Sequence, residues 1–332
     1  VLFRSTKPSL LLDKNGELIR KGYATAPLLQ YNRRNVKKIH RLKEWDYYLV
    51  YSRNYAVSLT VAKNLCFLFI GISITDLKEN KIINKSTVRI ASKKFLLPRD
   101  SKKGNIVYKD KFIRVSFRTE GNIRLLLLKK YNLKKEPVVD ISLVLYNEPK
   151  DSMVLAAPFE EDRRYFNYSR KIIGMKASGY VKYKNNNYGF SPQDSYAVID
   201  WSRGVWPYRT TRYWSAGAGK IHGRIFGFNL GYGSGDDSYA TENMLFYGGT
   251  ASKLDYVTFH IPRNTGNKYD YLKPWIITSS DNRIEMVFIP VVDRSFTFPL
   301  FPFPLSANRH QVFGKFTGRA VLDDGTVIYL KE

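Results

Sequence analysis

Short apolar runs alternating with polar residues recur along most of this chain, and tight-turn residues separate them. Trp45 to Tyr51 and Tyr55 to Val61 flank Ser52 to Asn54, a pattern that predicts a hairpin. Leu65 to Thr75 reads as the next strand, buried along most of its length. Asp110 to Phe117 and Ile123 to Leu128 are joined through Thr119 to Asn122, a second hairpin. Val138 to Leu145 alternates in part. Beyond it, Gly179 to Tyr183 and Tyr188 to Phe190 flank Asn185 to Asn187, and Tyr196 to Asp200 follows. Lys220 to Leu230, Met244 to Tyr247, Leu254 to Ile261 and Trp275 to Thr278 continue the series. Arg283 to Ile289 pairs back across Ser279 to Asn282, and Val312 to Leu322 turns at Asp323 to Gly325 into Thr326 to Leu330. No segment carries a long 3.6-residue stripe, so helix is a minor component. Phe296 to Leu305 holds Pro299, Pro302 and Pro304, with Pro290 just before, and reads as an extended connection rather than a central strand.

This grammar predicts an all-β chain of two lipocalin-like antiparallel β-barrel or sandwich domains packed together. Residues 147–175 interrupt the pattern with Pro149, Pro158 and a dense charged and aromatic run from Phe159 to Tyr168. The boundary is therefore placed at 170, giving domains of 1–170 and 171–332. Residues 1–40 are basic and irregular and read as a solvated lead-in.

Composition sharpens the picture. The chain has 332 residues, 44% of them hydrophobic, enough for a sizeable core. Its formal net charge of +25 favours anionic partners such as phospholipid head groups. No arginine-rich arm, zinc spacing or helix-turn-helix pattern accompanies that charge, so nucleic acid is disfavoured as a partner. Cys66, the one cysteine, excludes an internal disulfide and reads as a buried thiol in a reducing compartment. The longest apolar run is too short for a spanning helix. A cytoplasmic location is expected, with peripheral membrane association as an alternative. The chain starts at Val1 without methionine, so residues before it are expected.

Candidate chemistry concentrates between Asp200 and Trp214, which holds three of the five tryptophans, three arginines and one carboxylate. A glycine-rich stretch from Gly227 to Gly249 carries Asp236, Asp237, Glu242 and Asn243. The segment Gly217 to Lys220 runs into Ile221 and is no phosphate-binding loop, and Gly231 to Gly235 lacks the serine-centred nucleophile spacing. The four histidines are far apart, and neither a metal nor a cofactor is expected. Asp200 ends an apolar strand: in an aromatic pocket it is a general acid, and beside Arg203 or Arg209 it is a salt-bridge partner. Trp201, Arg203, Trp206, Tyr208, Arg209, Trp214, Glu242 and Asn243 are the candidate ligand-binding residues. The aromatic rings serve equally as core packing or as the walls of an apolar cavity.

These residues carry a resemblance. Ile199 to Thr210, the run Gly-Phe-Asn-Leu-Gly-Tyr-Gly from Gly227, and Thr241 to Phe246 resemble the bacterial family catalogued as domain of unknown function 2804. So do Leu12 to Gly16, Pro27 to Asn32, Lys43 to Tyr48, Glu161 to Phe166, Lys273 to Ile276 and His310 to Gly314. Family members usually run slightly past the last strand seen here, so a short C-terminal tail is expected. In plan the chain is distantly similar to lipocalin-like two-barrel proteins, among them carotenoid hydratases, kievitone hydratase and fungal cyclisation catalysts. That likeness implies a cavity near the domain junction and sets Asp200 with Trp201 against an aspartate motif. The implied function is binding of a hydrophobic lipid- or isoprenoid-like small molecule, with hydration, isomerisation or cyclisation by acid catalysis at Asp200. The alternative is a non-catalytic lipid carrier docking on anionic membrane surfaces.

Overall fold

The computed structural model describes residues 3–90, 92, 94–300 and 305–331. Its strands run in chain order. The first group is β1 (Ser9–Leu10), β2 (Gly22–Ala24), β3 (Leu29–Gln30), β4 (Leu42–Tyr51), β5 (Tyr55–Asn64), β6 (Phe67–Asp76), β7 (Lys81–Asn84) and β8 (Thr87–Ile90). Then come β9 (Ile106–Lys109), β10 (Ile113–Glu120), β11 (Ile123–Tyr131), β12 (Pro137–Tyr146), β13 (Met153–Phe159), β14 (Asp162–Tyr183), β15 (Asn186–Phe190) and β16 (Tyr196–Val205). The last group is β17 (Tyr213–Ile221), β18 (Arg224–Tyr232), β19 (Met244–Tyr247), β20 (Thr250–Lys253), β21 (Val257–His260), β22 (Trp275–Ser279), β23 (Ile284–Leu300), β24 (Leu305–Val321) and β25 (Val327–Leu330). Two single turns of 3-10 helix, Arg33–Asn35 and Ile39–Arg41, are the helical elements among the described residues.

Fourteen strands form one sheet whose main path is β7-β6-β5-β4-β16-β14-β12-β11-β10-β9. The sheet curls round a core because one face of each strand is apolar. Val139, Ile141, Leu143 and Leu145 of β12 point inward, as do Ile113, Val115 and Phe117 of β10. They meet Val57, Leu59, Ile70 and Ile72 from β5 and β6. Each such side chain stabilises the fold by roughly 1.5–3 kcal/mol when fully buried. A second unit is built from the four-stranded sheet β17-β18-β19-β20 and the five-stranded sheet β21-β22-β23-β24-β25. Phe226, Phe228, Leu245, Met286 and Phe288 fill it. A further apolar cluster joins the two: Met153, Leu155, Ile173 and Val198 of the large sheet meet Met244, Phe246, Trp214 and Phe313. All ten residues of β16 are buried because this strand has a core on both sides.

The expected break at residue 170 falls inside β14, which runs unbroken for 22 residues. β16 likewise pairs with both β14 and β4, so it belongs to the first unit. The chain leaves the large sheet only after Val205 and enters the smaller one at Tyr213. The charged run opens β14: Arg163 and Arg164 are exposed at its start, while Tyr165 and Phe166 are buried on both faces. The early segment is no solvated lead-in. Leu11, Leu12, Leu18, Leu29, Tyr31 and Val36 are buried against Phe166, Tyr168, Trp201 and Trp206. Its scattered apolar residues thus cover one end of the large sheet. Cys66 is exposed rather than buried, because the β5–β6 hairpin turns at Leu65 and Cys66, with Leu65 at φ 50. The turn shortens the expected strand to β6.

The proline-containing segment was expected as a connection. Phe296 to Leu300 instead completes β23 and pairs with β24. Beyond Phe288 this part of β23 pairs on one side alone, which is where a proline can sit in a strand. Pro290 stands at a register shift in the same arm. Pro302 and Pro304 lie outside the described residues.

Candidate functional site

Side chains alternate across β14 and β16, so the two faces of the sheet carry different chemistry. Asp200 pairs in register with Lys171 of β14 and Tyr47 of β4, and these three share the face turned to the second unit. The Lys171 ammonium donates to Asp200 Oδ1 in an ion pair with Lys171 fully buried. Ser202 Oγ donates to the same oxygen at 2.6 Å, and Trp45 Nε1 donates to Oδ2 at 3.1 Å. Arg212 and Glu242 form a second pair at 3.2 Å beside the first. Ser234 Oγ donates to Glu242 at 2.6 Å, and Trp214 Nε1 donates to Asn229 Oδ1 at 2.8 Å. Asn229 Nδ2 in turn donates to the Glu242 carbonyl. On the far side, Gln311 of the β23–β24 arm donates to the Tyr47 hydroxyl at 2.7 Å.

Electrostatics fix the protonation of this cluster. Burial pushes the Asp200 carboxyl up, but the Lys171 ammonium and Arg212 outweigh it, so Asp200 lies below its ordinary value. Glu242 is likewise held low, burial being outweighed by Arg212 and Lys171. Burial lowers Lys171, and Asp200 opposes that shift only in part. Asp200 is therefore a carboxylate bonded by three donors, not the free acid with raised proton affinity that an aromatic pocket alone would make. The mobile proton of the pair sits on Lys171.

The opposite face holds a separate network. Arg203 donates to Asp46 at 2.7 Å and to the carbonyl oxygens of Trp45, Ser202 and Pro98. Arg33 and Tyr31 both donate to Glu44. Asp46 is raised by burial against the pull of Arg203. A water-sized cavity of about 10 Å³ lies beside Asp46, Arg124 and Trp201.

Of the residues singled out in the sequence, Asp200, Trp214, Glu242 and Asn243 come together. Asn243 braces the site by accepting from the Gly231 amide and donating to the Asp255 carbonyl. Trp206 reaches its edge, packed against Trp45 and 5.9 Å from Arg212. Trp201 and Arg203 point to the other face, because odd and even positions of a strand part company. Tyr208 is exposed under the Arg41 guanidinium, and Arg209 is exposed, so neither joins the site. Asp200 finds neither Arg203 nor Arg209, but Lys171. Sequence reasoning missed Lys171 and Trp45, whereas Arg212, one of the three arginines offered as partners of the central stretch, joins the cluster through Glu242. The available signal was a polar residue at every second position, Asn167, Ser169 and Lys171, blurred by Arg170 on the other face. Among the described residues, no group of three His, Cys, Asp or Glu side chains is placed to hold a metal ion. No helix among them is long and apolar enough to cross a membrane, which leaves strand-built crossings unaddressed.

Solved structures of the same architecture exist. A Nitrosomonas europaea protein carrying the AttH designation matches with a TM-score of 0.55 at 10% identity, over 87% of this chain and 91% of that one. CghA, solved with Sch210972, matches at 0.56 and 10% identity, over 87% and 86%. Kievitone hydratase from Nectria haematococca aligns at 0.48 and 10% identity, over 86% of each chain. The first two likenesses, at this identity, establish the lipocalin-like all-β fold alone. No curated protein sequence matches the chain. The family model for the domain of unknown function DUF2804 matches residues 3–332, and the chain belongs to that family.

Proposed function

We propose that this protein binds a hydrophobic, lipid- or isoprenoid-like small molecule between its two units and transforms it by acid–base catalysis. Hydration, isomerisation and cyclisation are the reactions such a site serves. The observation that carries the reading is the buried Lys171–Asp200 pair, set beside Arg212–Glu242 and faced by Trp214. Four ionised groups removed from water cost more than they return in stability, and such arrangements concentrate at functional sites. Beside them packs an apolar cluster: Met153, Leu155, Ile173, Val198, Met244 and Phe246. The Lys171–Asp200 pair holds one transferable proton, and the carboxylate accepts one in return. Indole faces at Trp214 and Trp45 favour positive charge developing on a substrate.

The test is conversion of a lipid and isoprenoid panel, followed by chromatography and mass spectrometry. Wild type is expected to convert at least one member. Asp200→Asn should retain binding of that compound and lose its conversion. Unchanged conversion in Asp200→Asn refutes the mechanism.

A second reading rests on the net charge of +25. In it, the same site carries an apolar molecule without changing it, and the positive field docks the protein on anionic membrane surfaces.

A further inference from the structure

Beside the ion pair, β14 carries a row of polar side chains on the same face. Asn167, Ser169 and Lys171 stand in register opposite Gly204, Ser202 and Asp200. Lys171 and Ser202 are both spent on Asp200. The next two positions are not. Asn167 and Ser169 are each 1% exposed, yet neither Asn167 Nδ2 and Oδ1 nor Ser169 Oγ has a hydrogen-bond partner in the protein. Trp206 Nε1 is a fourth buried polar atom without one. Its position is fixed by Gly204: a Cβ added there would come within 2.6 Å of Trp206 Nε1. Gly204 is the cross-strand partner of Asn167, so the indole N–H occupies space that a side chain opposite Asn167 would otherwise take. Arg212 Nε, above the same region, is also unpaired.

On the other face of the same strand, Arg203 spends its two terminal nitrogens on four acceptors, which leaves its Nε without a hydrogen bond, whereas at Asn167 and Ser169 every side-chain polar atom is unpaired. Buried polar groups left without partners are costly, and a cluster of them next to an ion pair calls for a guest. We infer that Asn167, Ser169 and Trp206 form a subsite for an oxygen atom of the bound molecule. Such a subsite offers three donors: the Asn167 amide, the Ser169 hydroxyl and the indole N–H. Asn167 Oδ1 supplies an acceptor for a hydroxyl hydrogen. The ligand class is therefore an oxygenated apolar molecule, an alcohol or carbonyl compound rather than a hydrocarbon. Same-face neighbours along a strand are about 7 Å apart, so an oxygen held at Asn167 and Ser169 places adjoining carbons near Lys171 and Asp200. This inference rests on the hydrophobic-ligand reading given above.

Paired probes separate the two. Farnesol and farnesene share a branched, unsaturated fifteen-carbon chain and differ in the hydroxyl. Titration of each into wild type, Asn167→Leu and Ser169→Ala, read by native mass spectrometry, should show farnesol binding at least about tenfold tighter to wild type. Both variants should lose most of that preference while their farnesene affinity is kept. Ser169→Ala removes a single oxygen atom and carries the test if Asn167→Leu fails to fold. Equal binding of both probes to wild type, or a full preference retained in folded Ser169→Ala, overturns the oxygen subsite and leaves the hydrophobic-ligand reading standing. Binding of neither probe overturns both.

Discussion

Lys171 and Asp200 illustrate how one buried residue constrains another. Either charge alone in that position has no water to solvate it. Asp200→Ala or Lys171→Met should each lower unfolding free energy by about 3–5 kcal/mol. A Lys171→Met, Asp200→Leu double variant should recover most of that loss, because no charge is left behind. Urea unfolding of the three variants measures the coupling, and additive losses would deny it. Asp237, in the loop preceding β19, titrates differently. Burial pushes it up to about 6, with Glu242 and Asp236 adding to the shift. A raised carboxyl stabilises the fold below its ordinary value of 3.8, and that contribution is lost as pH rises through about 6. Asp237→Asn imitates the protonated form. Its melting temperature should exceed that of wild type at pH 7.5 and match it at pH 4. At this scale the sequence was half legible. Composition drew attention to Asp200 and Trp214, since a carboxylate ending an apolar strand is unusual. Its partner lies 29 residues earlier, and only strand pairing reveals such a neighbour.

At the scale of elements, β14 joins the two units. Its outer end pairs with β16 and β13, its other end with β12 and β15, and its middle packs on β17 and β18. The register shift between Ile173 and Met175 is centred on Gly174, at φ +86. A Cβ there would meet Ile225 of β18 at 2.8 Å. Gly174→Ala should therefore cost about 1–3 kcal/mol from backbone strain alone, with crowding added to it. Gly121, also at positive φ but with open space around it, should tolerate alanine better. Denaturant unfolding of the two variants separates strain from crowding, and equal losses would contradict the role given to Gly174. Hairpins at Ser52 to Asn54 and Glu120 to Ile123 were readable because their turn residues sit between alternating runs. The length of β14 was not. Pro149, Pro158 and the charged run at its start looked like a boundary, whereas Arg163 and Arg164 mark an exposed strand end.

At the scale of the whole molecule, the +25 charge and the two-unit architecture are separable properties. The charge acts over about 8–10 Å in physiological salt, so any membrane docking it drives must be salt-sensitive. Co-sedimentation with phosphatidylserine-containing liposomes is expected at low salt and reduced at physiological salt. No binding at low salt would remove the membrane reading. The architecture was legible as all-β because alternation and turns recur throughout. Its division was not, since β16 lies late in the chain yet completes the first sheet. In the proposed function, the polar cluster between the units serves an apolar ligand. Native mass spectrometry of the purified protein, with organic extraction of whatever is bound, tests it most directly. The expected result is a co-purifying apolar compound, or uptake from a lipid and isoprenoid panel that Trp214→Ala weakens. A clean unliganded mass with no uptake from that panel would contradict it.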